Sequence, residues 1–480
     1  MKIGRTALLL VTIGALADCH RTQHLHNTAY DHKPQLAACA VPEEDATGLD
    51  DDPSTDVHAV LNYRNTVAGM LQEGRFEDID CLADHARLRK ERFAGGTWKL
   101  HELYQGLSRP VQVPVHASTE DWDTLVKQLQ AWLIARPKSV TARVALAESY
   151  IGYAAEDRGD GDPNTVSEGG WKLIRERTAQ AEQILGRIST HGRKDPESYV
   201  VMLEIAWNQN WSEAKKQALF HKAMKAEPDY YYDAQVVATN LLPKRGGKPG
   251  DTERFMSGVA DRVGGEQGDI LYFQIAIIPR LICTCSDDAH LSLPRIEKGF
   301  EAAERQYGSS LLNLNRVAYL TVRSRPDDEI FADKAFTRIG DQWDEETWGG
   351  WQDDFVKAKN FAAFMGERLR IEAAADANMK TPEGARYRVD FEKPYRELAQ
   401  RCAQPGDGDL GKFKALTDVG AKGTIEDVRI YGSNPAAWCL FEKLHAMQLE
   451  KATPFPAPPW GGYWVRLDLD WAEFAPVAAK

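Results

Sequence analysis

From Asp56 to about Gln400 apolar residues recur at helical spacing, and this one pattern dominates most of the chain. Ala358, Phe361, Ala362, Met365 and Leu369 make one stripe, and Tyr199, Met202, Leu203 and Ala206 make another. Residues three and four apart share a helix face, so such stripes predict amphipathic helices that bury one side. Turn-forming runs such as Gly159-Asp160-Gly161-Asp162-Pro163 divide the pattern into separate helices. Residues 56–400 are therefore expected to form an all-helical body.

Two stretches of that body resemble tetratricopeptide-type helical hairpins. In one, Arg136-Pro137 leads into Ala142, Ala145, Ala147, Tyr150 and Tyr153; in the other, Ala223-Met224 runs to Glu227-Pro228. The interval from Pro196 to Pro228 is close to the tetratricopeptide period of about 34 residues. The period does not recur cleanly, which predicts stacked helix pairs in a degenerate array, each needing its neighbours to bury its face.

The 480 residues are 43% hydrophobic with a formal net charge of -12, as expected for a globular chain large enough for two domains. The acidic balance argues against a nucleic-acid partner, which needs clustered Lys and Arg to displace counterions from phosphates.

Lys2 and Arg5 precede the apolar run Ala7 to Leu16, which ends in Ala15-Leu16-Ala17. A charged start, a short apolar run and a small-x-small site read as a secretory signal, residues 1–17. The chain is thus expected in the periplasm or attached to the cell envelope. Cleavage after Ala17 leaves a soluble product, whereas Leu16-Ala17-Asp18-Cys19 resembles a lipoprotein box that would acylate Cys19. Residues 18–55 carry Glu43-Glu44-Asp45 and Asp50-Asp51-Asp52 without helical or strand period, and are expected to be a flexible tether. His24, His26 and His32 within it form a weak transition-metal candidate, lacking a scaffold to fix their geometry.

In an exported chain the cysteines read as disulfide candidates. Cys39 and Cys81 flank the first helical segment. Cys283-Thr284-Cys285 has neither zinc-knuckle nor thioredoxin spacing and is expected to be structural.

Four local signatures in the body resemble the domain of unknown function 4034 family. They are Leu71-x-x-Gly74-x-Phe76 with Arg92-Phe93-x-Gly95-Gly96-x-Trp98-x-Leu100 and Tyr104; Arg158-Gly159 through Thr165-Val166 to Gly170-Trp171; Asp195-Pro196-x-x-Tyr199 through Trp211 to Glu227-Pro228-x-Tyr230; and Leu242-Pro243-x-x-Gly246-Gly247 on to Gly268-Asp269-x-x-Tyr272. The resemblance implies a helical domain without an assigned reaction. Gly95-Gly96 before Trp98 predicts a sharp turn at positive φ that drops the indole between helices.

The segment Asp157 to Trp171 is the binding-loop candidate, with Arg158, Asp160, Asp162, Thr165, Glu168 and Trp171 as its named residues. Alternating oxygen donors suit a hard cation, but Thr165 stands where an EF-hand loop has glycine and Trp171 where it has a bidentate glutamate. No metal or cofactor is expected. The chain carries no phosphate-cradling Gly-x-x-x-x-Gly-Lys-Ser/Thr, nucleophile elbow or His-Glu-x-x-His helix; His101-Glu102 lacks the second histidine. Asp353-Asp354 beside Trp348 and Trp351 is the one spot resembling a sugar cleft.

After Ala403-Gln404-Pro405-Gly406-Asp407-Gly408-Asp409, a linker by composition, the period changes. Phe413 to Val419 and Ile425 to Tyr431 read as strands, Pro435 to Gln448 as a helix and Tyr463 to Leu469 as a third strand. This small α+β unit, residues 401–475, resembles the C-terminal domain of TonB-type energy transducers, including Phe455-Pro456-x-Pro458-Pro459 and Tyr463-Trp464-Val465. The resemblance implies a disulfide between Cys402 and Cys439, and partner binding by strand addition at a sheet edge. The combined expectation is a non-catalytic interaction scaffold of the envelope with protein partners. The alternative is an envelope-glycan hydrolase using carboxylates of the helical body.

Overall fold

The computed structural model describes residues 39, 48–110, 116–158, 165–188, 195–282, 291–322, 329–405, 407–420, 424–431, 434–447 and 463–474. Cys19, His24, His26, His32, Asp160, Asp162, Cys283 and Cys285 lie outside them. Residues 1–39 form one unit, described only at Cys39; everything below concerns the second unit, 40–480.

The fold is mainly helical with a small sheet near the C-terminus, as the sequence predicts. The body alternates two kinds of helix. The first set is α1 (Ala59–Gln72), α3 (Lys99–Ser108), α5 (Val140–Arg158), α7 (Glu197–Asn208), α9 (Tyr232–Asn240), α11 (Gly265–Ile282) and α13 (Leu311–Val322). Each member packs against the next. Between them come α2 (Phe76–Arg89), α4 (Thr119–Ala135), α6 (Glu168–Leu185), α8 (Glu213–Ala226), α10 (Asp251–Val263), α12 (Leu293–Tyr307) and α14 (Glu329–Ile339), which pack on the outside of the first set. Starts are fixed locally where a side chain can cap free amides: Ser118 and Asp121 form a reciprocal capping box on α4, and Ser167 accepts from Gly170 N–H on α6.

The array does not stay open. Leu311 N–H at the start of α13 donates to the Pro53 carbonyl at 2.7 Å. Asn313 Nδ2 donates to the Gly95 carbonyl at 2.8 Å, and Arg64 Nη1 on α1 reaches Glu346 Oε2 at 3.0 Å. The inner row therefore closes into a ring. The end of the expected tether, 48–55, belongs to this closure: Leu49 is buried and Asn62 Nδ2 donates to Asp51 Oδ2 at 2.7 Å. Its acidic residues, which read as solvated tether, organise turns instead, with Asp52 Oδ1 accepting from Ser54 N–H at 2.9 Å.

One end of the ring is plugged by Arg92 to Trp98. Phe93 N–H bonds the Thr97 carbonyl at 2.8 Å across a turn in which Gly95 and Gly96 have φ of 82° and 88°. Trp98 is 1% exposed; its Nε1 donates to the Asp229 carbonyl at 3.0 Å, and its ring meets Tyr230 edge-on. Arg92 lies 4.1 Å over the indole and donates to Tyr307 OH.

Beyond the ring run α15 (Gln352–Met379), α16 (Pro382–Cys402), β1 (Lys412–Val419), β2 (Ile425–Ile430), α17 (Pro435–His445) and β3 (Tyr463–Asp470). The sheet order is β2-β1-β3, antiparallel throughout, with Ala415 opposite Ile430 on one side and Leu467 on the other. One face packs on α16 and α17 through Tyr387, Tyr395, Val428, Leu440 and Leu444. The opposite face meets α15, where Leu416 joins Ile371 and Ala375. Cys402 and Cys439 are disulfide-bonded with Cα atoms 5.6 Å apart, tying α16 to α17. The α15 stripe is rotated from its expected position: Ala362 is buried but Phe361 is exposed.

A Cβ at Gly95 would lie 2.6 Å from Ser310 Cβ and 2.5 Å from Asn313 Nδ2, at a positive φ that disfavours side chains. Gly95→Ala is expected to lower unfolding stability by about 1–3 kcal/mol. Gly258→Ala, in α10 with nothing within 4 Å of the new methyl, is expected to raise it by up to about 1 kcal/mol, both measured by urea denaturation.

Candidate functional site

The inner helices present polar residues to the middle of the ring at helical spacing. From α3 come His101, Glu102, Gln105 and Ser108, with Arg109 just after its end; from α5, Glu148, Ile151, Gly152, Ala155 and Arg158. From α7 come Glu197, Val200, Val201, Glu204 and Asn208, and from the α9 region Tyr231, Tyr232, Gln235 and Thr239. Arg64, Ile277, Arg316 and Glu346 complete the wall, with Arg245. They enclose a cavity of about 430 Å³, within the range of small-molecule sites.

The helices α3, α5 and α7 enter from the same side. His101 and Glu197 stand near their starts, while Arg109, Arg158 and Asn208 stand at their ends. On the first side, His101 stacks on Tyr232 with centroids 3.5 Å apart, and its Nδ1 lies 2.9 Å from Glu197 Oε2. Tyr230 OH donates to the same oxygen, and Tyr232 OH accepts from Trp98 N–H at 3.3 Å and from Tyr231 OH at 2.8 Å. The plug thus supports the cavity floor directly.

Burial decides the charge states there. Desolvation pushes the His101 imidazole down to about 4, so it is neutral at physiological pH. Glu197, 0% exposed, is held well above the carboxylate range by burial, which favours its neutral form. Burial, reinforced by Glu197, pushes Glu148 up to about 8. Gln105 Nε2 donates to Glu148 Oε1 at 2.7 Å, whereas Glu148 Oε2 and Glu197 Oε1 are buried and have no partner among the described residues. Glu204 is raised by burial as well. The floor is polar, aromatic and nearly uncharged.

Cations dominate the remainder. Arg64 is neutralised between Glu102 at 2.6 Å and Glu346 at 3.0 Å, and its charge holds Glu346 below the ordinary range. The guanidinium groups of Arg109, Arg158, Arg245 and Arg316 have no hydrogen bond or ion pair among the described residues. Arg109 and Arg245 are exposed; Arg158 and Arg316 are half-buried, and Arg316 Nε is sealed from water without an acceptor. A half-buried guanidinium normally recruits a carboxylate, because removal from water is costly.

Of the binding-loop candidates among the described residues, only Arg158 lines this cavity. Thr165 and Glu168 are exposed, and Trp171 is half-buried in the first turn of α6. Cys81 lies in α2. Trp348 is a core residue donating to Asn315 Oδ1 at 3.0 Å, whereas Trp351 is exposed, with Asp353 and Asp354 in the first turn of α15. Trp348 is thus consumed by packing, and the two carboxylates lie in the first turn of a helix, where negative charge is favoured. His101, Glu148, Glu197 and Arg316 were missed, although His101, Gln105 and Ser108 already formed a polar helix face.

No family model, curated protein or solved structure matches this chain.

Glu148 faces His101, Glu197, Arg109 and Ser108. Because its folded pKa lies above the unfolded value, the folded chain holds an extra proton, and stability falls as pH rises toward about 8. From about pH 7 to 8, where His101 is neutral in the folded chain and largely neutral in the unfolded one, the loss expected from Glu148 is up to about 1.4 kcal/mol per pH unit. Glu148→Gln is expected to flatten that slope, measured by urea unfolding across the interval.

Proposed function

We propose that this chain is an exported, non-catalytic binding protein of the cell envelope whose helical ring captures a small anionic molecule. The observation that carries the reading is Arg316, which lines a 430 Å³ cavity with its Nε buried and without an acceptor; Asp344 and Glu346 act on it electrostatically but none of the described acids bonds it. An anion entering the cavity would supply the missing acceptor, and partial exclusion of water would strengthen the bond. The charge is local, since the whole chain is acidic at -12. Export rests on the signal-like start, with Cys19 as the lipid attachment candidate; no described helix is long and apolar enough to cross a membrane.

Calorimetry and thermal-shift measurements with organic acids and sugar phosphates test this. At least one anion is expected to bind, and Arg316→Gln is expected to weaken it by about 10- to 100-fold, a loss of about 1.4–2.8 kcal/mol. Absence of any anion binding, or binding indifferent to Arg316, would overturn the reading. The ligand is expected to be recovered unchanged. Cleavage of a glycan ligand that disappears in Glu148→Gln would instead favour the hydrolytic alternative, with a carboxyl held protonated near neutrality as general acid.

The scaffold role belongs, on this reading, to the C-terminal sheet. Its order leaves β2 and β3 as outer strands, either able to accept an extended segment of an envelope protein. A photo-crosslinker placed at Glu426 of β2 is expected to trap a partner peptide that one at the surface residue Glu120 does not. Equal trapping at both positions would remove support for strand addition.

A further inference from the structure

The unpaired arginines are not spread evenly around the cavity. Arg109 follows α3 and Arg316 lies in α13; both act electrostatically on Glu346, the partner of α1 Arg64. Arg158 ends α5 and Arg245 follows α9; they act on each other and on Glu204 of α7 between them. Since the start of α13 bonds Pro53 just before α1, α1 packs on α3, and α5, α7 and α9 are the next consecutive helices, the two pairs occupy different arcs of the wall. The same cavity is lined by the uncharged group of His101, Glu148 and Glu197.

Resting on the anion-binding reading, we infer that the ligand carries two acidic groups joined by a neutral, hydroxyl-bearing stretch. One acidic group is received by Arg109 and Arg316, the other by Arg158 and Arg245. Each guanidinium pair offers forked donors that suit a carboxylate or phosphate. Arg158 also disfavours the charge of Arg245, a repulsion that a bound anion between them would offset. The middle of the ligand would be uncharged, because the unpartnered oxygens of Glu148 and Glu197 can serve hydroxyls but would repel a third anion once ionised.

The test is calorimetry on the full chain at neutral pH and fixed ionic strength with four probes. These are maltose, galacturonate, digalacturonate and fructose bisphosphate, offering respectively no acid, one carboxylate, two carboxylates and two phosphates. A two-acid probe is expected to bind at least about tenfold more tightly than galacturonate, about 1.4 kcal/mol. Arg245→Gln, a change at an exposed side chain, and Arg316→Gln should each remove most of that advantage. Preference for digalacturonate or for fructose bisphosphate identifies the acid as carboxylate or phosphate. Equal affinity for one-acid and two-acid probes, or sensitivity to Arg316→Gln alone, would overturn the two-ended inference and leave the anion-binding reading standing. If no acidic probe binds, both fall.

Discussion

The seating of Trp98 is the interaction on which the helical body depends. Its indole sits between helices far apart in sequence, donating to the Asp229 carbonyl while Arg92 covers its other face. Two consecutive glycines at positive φ bring it there, and the turn they make accepts from Asn313 through the Gly95 carbonyl. A Trp side chain buried this fully contributes roughly 3–5 kcal/mol when compared with alanine. Its geometric effect is larger than its energy: it converts a row of hairpins into a ring with a floor, because one short segment bonds Tyr232 of α9, Tyr307 of α12 and Asn313 of α13 together.

A floor changes the chemistry of everything above it. Carboxyl groups on an open concave surface would ionise and be solvated. Enclosed with His101 and Tyr232, Glu148 and Glu197 keep protons near neutrality, so acids that dominate the composition contribute little negative charge where the ligand would rest. Guanidinium groups do not lose their charge in this way. Burial therefore makes an electropositive cavity from a mixture of acids and bases, with no local excess of basic residues required.

The small C-terminal unit was the most legible part of the sequence. Alternation over Phe413–Val419 and Tyr463–Leu469 sets strands whose observed ends, Lys412–Val419 and Tyr463–Asp470, differ by a single residue. Asn434 capping a helix that opens with Pro435 fixes α17 just as locally. The helices of the body were legible for the same reason. Ring closure was not, because its contacts join Gly95 to Asn313 and Arg64 to Glu346, and no periodicity encodes such pairings. The cavity was hidden by a related ambiguity. Polar residues on one helix face ordinarily mean solvent, and His101, Gln105, Glu148 and Glu197 look inward only once the ring exists. Conversely, Phe361 reads as core yet is exposed, since the single stripe assigned to α15 has to serve two different neighbours.

That helix has a mechanical meaning. The first half of α15 completes the ring core through Phe355 and Ala362, and its second half carries Ile371 and Ala375 to the sheet at Leu416. Lys414 and Arg466 of the sheet are ion-paired to Glu372 and Asp376 on the same helix. A 28-residue helix spans about 42 Å without a joint. It acts as a strut between the two cores: any tug delivered to the outer strands is transmitted along a stiff rod to the wall beside Trp348, instead of being absorbed by slack chain.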